Sequence, residues 1–258
     1  MPTAAIQESY VRLLHQIDSG EVPVTFQVGL VASDGIVLAS DMKATKMVPG
    51  RVSARSSSLS EKISILPERN LCYCCSGDNF TAETAKRIVE VFELENERRP
   101  DYRERLRDRI QEIVTAETNK LGMNLAHFYG DILLAWRTSS GKSELWQVGV
   151  CPTAVGTPHR LLDKGSQGDY ANTAHFFLER YYPKVPASAT VAQLLPLAAH
   201  TVLMAGAMNP VYVDGLEIAI CTGTELRKLA EEELKPLTET VWKLDREINS
   251  KLVGEEQS

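Results

Sequence analysis

Residues 22–41 place the strongest constraint on the fold, because they read as two apolar strands joined by a tight turn. The run VPVTFQVGLVASDGIVLASD is dense in Val, Thr and Phe, which favour strands. Ser33-Asp34-Gly35 is a turn signal that splits the run, so the pattern predicts a β-hairpin. The second strand ends on Asp41, and Lys43 follows two residues later. A strand built for burial that ends on a charge raises the question of what that charge pairs with.

Two further hairpins follow along the chain. KISIL and LCYCCSG flank Pro67-Glu68-Arg69-Asn70, and DILLAWRT and SELWQVGV are joined across Ser140-Gly141. Hairpins that follow one another in sequence predict antiparallel sheets. GLEIAICT is predicted to be the last strand, and the polar, Ser- and Arg-rich residues 46–60 are predicted to form a loop or an irregular ribbon.

Helical periodicity is found between and after the hairpins. It predicts one helix from Asp78 to before Pro100, and a second from a capping-box-like start at Asp101 and Glu104 to Gly122. Three more are predicted: YANTAHFFLERYY, TVAQLLPLAAHTVLMAGAM with Pro196 as a kink or first-turn residue, and a closing helix over 224–252. These helices need an apolar surface to cover. Two antiparallel sheets packed face to face, with helix pairs on both outer faces, meet that need in one α+β domain, a four-layer αββα sandwich.

The composition is that of an ordinary soluble globular protein, with 43% apolar and 24% charged residues. A net charge of −6 argues against a nucleic-acid partner, which would usually meet a basic face. No apolar stretch approaches the roughly 20 residues needed to span a bilayer, so no membrane partner is predicted. The N-terminus lacks a basic region followed by an apolar core, so it does not read as a secretory signal, and a cytoplasmic location is expected.

Five cysteines, three of them in the run CYCC, lack the C-x-x-C spacing of zinc and redox sites. They are expected to be small buried hydrophobes in a reducing compartment. If CYCC is a strand, Cys72 and Cys74 face one side and Cys75 the other. The five histidines show no metal-ligand spacing and no nucleotide-binding motif is present, so no metal and no cofactor are predicted.

The run TFQVGLVASDGIVLASDMKAT, followed by EKISIL and CCSGDNFTAE, resembles the start of a proteasome β-type subunit or bacterial proteasome homologue. That family belongs to the N-terminal-nucleophile hydrolases. The resemblance covers roughly residues 25–222 and also fits the order of the later strands and helices. It implies the αββα sandwich and a threonine-type peptidase.

The resemblance implies specific roles for residues in these motifs. Thr25 would be the nucleophile, Lys62 its electrostatic partner and Asp41 the group that orients Lys62. An N-terminal Thr supplies its own general base, because an α-amine titrating near ~8 is partly neutral at cytoplasmic pH. Gly77, after Ser76, would donate its backbone N–H to the oxyanion. Thr45 would bind the substrate backbone in a strand-adding pose, and Cys75 would line the pocket.

Three further positions are implied around the nucleophile's amine. The segment GAMNPVYVDGLEIAIC matches a late motif of the family by its Asp-Gly-apolar-acid ending, which assigns Asn209 and Tyr212 to the amine. The family's Gly-Ser-x-Gly turn is present as residues 165–168, and Ser166 would support the amine there.

Residues 1–24 precede the predicted nucleophile and form a separate unit from the hydrolase domain at 25–258. Apolar residues at helical spacing predict a helix over residues 4–18, which is a propeptide, a permanent helix that packs between subunits, or a helix that lies on its own domain. While these residues are attached, the Thr25 nitrogen is an amide without basicity. Val24 is β-branched and follows Pro23, and that geometry should hinder self-cleavage at Thr25.

The favoured function is therefore a threonine peptidase subunit of a self-compartmentalising ring complex. The resemblance implies that it assembles with itself in stacked homo-oligomeric rings, cleaves polypeptides and works with an AAA+ unfoldase. One alternative is a catalytically silent ring subunit of the same fold that never frees Thr25. A less favoured alternative is a stand-alone hydrolase of small amides.

Overall fold

A computed structural model describes residues 25–44, 58–77, 79–92, 101–121, 130–150, 158–168, 177–178, 182, 184–208, 210 and 213–253. The helix predicted over residues 4–18, most of the loop predicted over 46–60 and most of the helix predicted in YANTAHFFLERYY lie outside these residues.

The described chain contains twelve strands and four α-helices. The strands are β1 Phe26–Val31, β2 Gly35–Ser40, β3 Lys43–Ala44, β4 Ser58–Leu59, β5 Ile63–Leu66, β6 Leu71–Ser76, β7 Gly130–Arg137, β8 Ser143–Val150, β9 His159–Leu161, β10 Lys164–Gly168, β11 Glu217–Thr222 and β12 Leu226–Lys228. The helices are α1 Asn79–Val89, α2 Tyr102–Leu121, α3 Val191–Met208 and α4 Glu231–Val253. A short 3-10 helix, Pro67–Arg69, joins β5 to β6.

Two five-stranded antiparallel sheets form the centre of the fold. The first sheet has the order β10-β1-β2-β11-β12, and the second has the order β5-β6-β7-β8-β9. All three predicted hairpins are present, as β1–β2, β5–β6 and β7–β8. After β2 the chain continues into β3, which pairs with β4 in a two-stranded ribbon.

Three apolar clusters separate four layers, as the sequence predicts. The outer face of the first sheet packs against α3 and α4 through residues such as Phe26, Val28, Leu30, Ile218, Leu194, Ala198 and Val241. The outer face of the second sheet packs against α1 and α2 through residues such as Tyr73, Leu134, Trp136, Ile88, Phe92 and Ile110. The facing sides of the sheets meet through Ile36, Leu38, Ile63, Cys72, Cys74, Leu133, Ala135, Leu145, Ala219 and Cys221. The fold is therefore α+β with a layered sandwich.

The cysteine run obeys the alternation predicted for a strand. Cys72 and Cys74 are buried between the sheets, whereas Cys75 is half-buried and packs against the cluster under α1 and α2. The strand β6 therefore presents one face to the centre and the other to the helices.

Three short strands differ from the sequence prediction. Leu226–Lys228 was expected to open the closing helix but forms the edge strand β12, and the helix begins at Glu231. β9 was not predicted, and the expected turn at Gly165–Gly168 lies in strand β10. Segments of three to five residues carry too little periodicity to predict, and sheet neighbours distant in sequence decide their conformation.

Helix α3 is long and apolar enough to cross a membrane by length and composition alone. Its buried side chains, among them Leu194, Ala198 and Val202, lie in the cluster that covers the first sheet. It is thus the core helix of this layer, and Pro196 lies within it.

Glu144 on β8 ties the start of α2 to the second sheet. Its carboxylate accepts hydrogen bonds from Tyr102 Oη at 2.9 Å, Arg103 Nη2 at 2.6 Å, Arg160 Nη1 at 3.1 Å and Trp146 Nε1 at 3.2 Å. Burial would raise the pKa of Glu144, but these hydrogen bonds and the two arginine charges outweigh it and hold the pKa below the ordinary value. Burial and the carboxylate raise the pKa of Tyr102 to about 12.

Glu144→Gln is expected to lower the free energy of unfolding by about 1.5–3 kcal/mol at neutral pH, because charged hydrogen bonds are lost. Because the pKa of Glu144 is lower in the folded protein than in the unfolded protein, its ionised carboxylate stabilises the fold at pH values above the unfolded pKa, near 4.5. This stabilisation declines as the pH falls through the folded-state pKa. The difference between variant and wild type should therefore shrink on acidification, measured by urea unfolding across that range. Glu112→Gln, which breaks an exposed ion pair with Arg109, is the control and should change little. A difference for Glu144→Gln that grows on acidification would contradict this.

Candidate active site

Thr25 and Asp41 are brought together by the first hairpin. Thr25 directly precedes β1 and Asp41 directly follows β2, and the register pairs Gln27 with Ser40. Phe26 N donates a hydrogen bond to Asp41 Oδ1 at 2.7 Å, and Asp41 N donates to Phe26 O at 3.0 Å. The backbone of β1 thus holds the Asp41 carboxylate beside Thr25, and both residues are buried.

Lys62 reaches this point from the second sheet. It directly precedes β5, and its Nζ lies 3.1 Å from Thr25 Oγ1 and 2.7 Å from Asp41 Oδ2. Asp41 Oδ2 also accepts a hydrogen bond from Lys43 N at 3.0 Å. The charge that ends β2 is therefore the partner of a buried lysine, and that lysine donates to the Thr25 hydroxyl.

Burial shifts both members of this ion pair toward their neutral forms. It lowers the pKa of Lys62, while the Asp41 carboxylate opposes the shift by charge and hydrogen bonding. It raises the pKa of Asp41, while Lys62 and the Phe26 and Lys43 N–H groups oppose that shift. A lysine with a lowered pKa beside a hydroxyl can exchange a proton more readily than an exposed lysine can.

The end of β6 supplies the other described candidates. Gly77 directly follows β6 and has a φ of 116°, a conformation that side-chain-bearing residues rarely adopt, so glycine is required for this backbone turn. Ile63 on β5 pairs with Cys74 on β6, so Lys62 and Cys75 are the next residues along the two segments. Cys74 and Cys75 lie on opposite faces of this end of β6, Cys74 between the sheets and Cys75 toward the helices.

Ser166 does not join this cluster. The β1–β10 register pairs it with Val28, whereas Phe26 pairs with Gly168. Directly opposed residues share a face, and Val28 packs in the cluster under α3 and α4, so Ser166 points away from the space between the sheets. Its Oγ is buried without a hydrogen-bond partner in the described part of the chain. In this strand register Ser166 does not face Thr25, whose amine it was predicted to support.

Asn209, Tyr212 and Thr45 lie outside the described residues, so their predicted roles stay predictions. Described residues close to Asn209 and Tyr212 in sequence contact the chain that follows β2. Lys43 Nζ donates to Pro210 O at 2.7 Å, and Met42 N donates to Asp214 O at 2.9 Å.

The structure adds one site residue that the sequence reasoning did not select. Glu217 on β11 accepts hydrogen bonds from Lys62 N at 2.8 Å and from Ile63 N at 2.9 Å. It is the acid of the Asp-Gly-apolar-acid pattern, which served only to align the late motif. An acid at the start of an otherwise apolar strand is the signal that could have selected it.

No group of three or more His, Cys, Asp or Glu side chains able to hold a metal ion occurs among the described residues. Within the described part of the chain, Lys62 and Asp41 bring a positive and a negative charge together beside Thr25. This set suits proton transfer and charge stabilisation at a hydroxyl.

Asp41→Asn is expected to lower the pKa of Lys62 further, because burial is unchanged while the opposing charge is lost. The measurement is competitive acetylation of the folded protein across alkaline pH, with mass spectrometry of the Lys62 peptide. Glu83→Gln, which breaks the exposed pair with Lys86, is the control and should leave the Lys62 titration unchanged. An unchanged or raised Lys62 pKa in Asp41→Asn would show that Asp41 does not hold the lysine charge.

No family model matches the sequence, and no curated protein matches it. Among solved structures, the chain is similar to Anbu (ancestral beta-subunit) from Yersinia bercovieri, with a TM-score of 0.62 and 13% sequence identity. The match covers 90% of this chain and 98% of that chain. At this identity the likeness concerns the fold. The chain therefore shares the layered fold of that protein, with two antiparallel sheets and outer helices.

Proposed function

We propose that the chain is a threonine peptidase subunit of a self-compartmentalising, proteasome-like ring complex. Thr25 acts as the nucleophile after residues 1–24 are removed. The observation that carries this proposal is the contact of Lys62 Nζ with both Thr25 Oγ1, at 3.1 Å, and Asp41 Oδ2, at 2.7 Å. A hydroxyl is a weak nucleophile, and this arrangement supplies the charge that favours its deprotonated form.

The proposed reaction begins with proton loss from Thr25 Oγ1 to its own α-amine, which exists only after the Val24–Thr25 bond is cut. The oxygen attacks the carbonyl carbon of the substrate peptide bond, and Lys62 stabilises the negative charge that develops. The protonated amine returns the proton to the leaving nitrogen, which departs as the new N-terminus. Water then hydrolyses the ester to Thr25 and frees the second product.

Further groups complete the proposed site. Gly77 donates its backbone N–H to the oxyanion, and Thr45 binds the extended substrate backbone. Cys75 lines the pocket beside Lys62. Asn209 and Tyr212 support the amine in this proposal, and Ser166 has no part in it because its register directs it toward the helices.

The likeness in fold and the resemblance in sequence support self-assembly in this proposal. In this proposal copies of the chain form stacked rings with the Thr25 sites facing an inner chamber. Polypeptides are then the substrates, and an AAA+ unfoldase is the proposed partner that feeds the chamber. The cytoplasm is the proposed location.

A silent ring subunit of the same fold is the second candidate, and Val24 is the residue that favours it. Glycine before the nucleophile allows the tight turn that exposes its carbonyl, whereas a β-branched residue after Pro23 is stiff. If Val24 stays bonded, the Thr25 nitrogen remains an amide and cannot act as a base. An isolated monomer acting on small amides is a third, weaker candidate.

Intact mass of the assembled protein separates the first two candidates. The peptidase predicts loss of residues 1–24, with Thr25 as the new N-terminus, and cleavage of fluorogenic peptides. Thr25→Ala should abolish that cleavage, whereas Thr25→Ser keeps a hydroxyl and should retain part of it. A full-length chain without peptidase activity favours the silent subunit, and undiminished turnover in Thr25→Ala would move the chemistry elsewhere.

Gly77→Ala is expected to reduce kcat by about 10²–10³-fold, the cost of losing one oxyanion donor. At a φ of 116° a Cβ is strained, so the backbone should rotate and withdraw its N–H. Gly141→Ala is the matched control, because Gly141 also has a positive φ, of 78°, but lies in open space in the β7–β8 turn. Equal losses of kcat in the two variants would indicate general strain and contradict a role for Gly77 in the oxyanion site.

A further inference from the structure

Lys62 is held at its backbone by a second buried carboxylate, which the proposed reaction does not use. Glu217 Oε2 accepts hydrogen bonds from two successive backbone groups, Lys62 N at 2.8 Å and Ile63 N at 2.9 Å. Glu217 is only 5% exposed. Charge-assisted hydrogen bonds of this kind are about twice as strong as neutral ones, so they fix where β5 begins.

The position of Glu217 in the first sheet relates it to Asp41. Glu217 opens β11 and pairs directly with Ser40, the residue before Asp41. Adjacent strands of one sheet therefore send two carboxylates to opposite ends of Lys62. Asp41 binds the Nζ, and Glu217 binds the backbone N–H.

The negative charge of Glu217 has its own partner. Lys228 on β12 forms an ion pair with Glu217 Oε1, and its Nζ also donates to Glu61 Oε2 at 2.8 Å. Lys228 lies opposite Ala219 of β11, so it approaches from the side away from β2. With this charge compensated by Lys228, the contribution of Glu217 to the site is its geometry.

We propose that Glu217 is a positioning residue that sets the distance between Lys62 Nζ and Thr25 Oγ1 by anchoring the start of β5 to the first sheet. This inference rests on the proposed function, because the consequence of the distance is the reactivity of Thr25. A positioning residue should affect kcat and leave KM nearly unchanged, since it touches no substrate.

Two substitutions of Glu217 separate the effect of its side-chain length from the effect of its charge. Glu217→Asp keeps the charge but withdraws the carboxylate by one methylene from Lys62 N and Ile63 N. Glu217→Gln keeps the length and a carbonyl oxygen that can accept both hydrogen bonds, and Lys228 keeps its bond to Glu61. Glu233→Gln is the matched control, because Glu233 also accepts a backbone hydrogen bond, from Ala230 N at 2.9 Å, and pairs with the cation of Arg227.

The expected result is that Glu217→Asp lowers kcat by roughly 100-fold, the effect of displacing a reacting group by about 1 Å. KM should stay close to wild type, Glu217→Gln should keep most of the wild-type kcat, and Glu233→Gln should match wild type. The reverse order, with Glu217→Asp active and Glu217→Gln inactive, would show that Glu217 acts through its charge. Loss of thermal stability with an unchanged kcat per folded subunit would show a purely structural role. Either result overturns the inference.

A crystal structure of Glu217→Asp tests the inference without relying on activity. The distance from Lys62 Nζ to Thr25 Oγ1 should lengthen from 3.1 Å to beyond hydrogen-bond range. If wild type is inactive but this distance lengthens, the proposed function fails and the anchoring stands. If wild type is active while Glu217→Asp keeps both its kcat and this distance, the anchoring fails and the proposed function stands.

Discussion

The ion pair between Lys62 and Asp41 is the constraint on which the candidate site depends. The Lys62 side chain is 11% exposed and that of Asp41 is fully buried, so each needs the other. Removing one member of a buried pair typically costs about 3–5 kcal/mol, because the remaining charge is left without compensation. Since Asp41 belongs to the first sheet and Lys62 to the second, the pair also fixes how the two sheets meet at this edge. Thr25 lies at that junction.

The layered architecture explains how a lysine reaches the end of a different sheet. The hairpin β1–β2 places Thr25 and Asp41 side by side, and β5 begins directly across the gap. At the edge of the second sheet where Gly77 lies, α1 packs closely against the start of β7 because residue 130 is a glycine. A Cβ added at Gly130 would lie 2.0 Å from Thr81 Oγ1 and 2.6 Å from Ser76 O. A side chain at Gly130 would therefore displace the start of α1 or the end of β6, and with it Gly77.

The sequence predicted the features that depend on local patterns. The three hairpins have turn residues between apolar runs, and the four described helices have apolar residues at helical spacing, so both were located from the sequence. The first helix, predicted to extend to before Pro100, ends at Val89. Thr25, Asp41 and Lys62 were selected through the family resemblance, and the structure brings their side chains together. Features that depend on strand register could not be predicted in this way. Ser166 was assigned from a short motif, but its pairing with Val28 turns it away from Thr25. Glu217 was passed over, because only the packing of β11 against β5 shows that it binds Lys62.

In the proposed peptidase, Thr25 has both a reactive hydroxyl and a free α-amine beside Lys62. The test uses a short peptide that carries two adjacent electrophilic carbons. The first reacts with the Thr25 hydroxyl, and the second can then form a ring only with a free Thr25 α-amine. Digestion and tandem mass spectrometry then locate the adduct. The predicted result is a cyclic adduct on a peptide that begins at Thr25, absent from Thr25→Ala and strongly reduced in Lys62→Ala. A Thr25 peptide that remains unmodified and still joined to Val24 would contradict the claim.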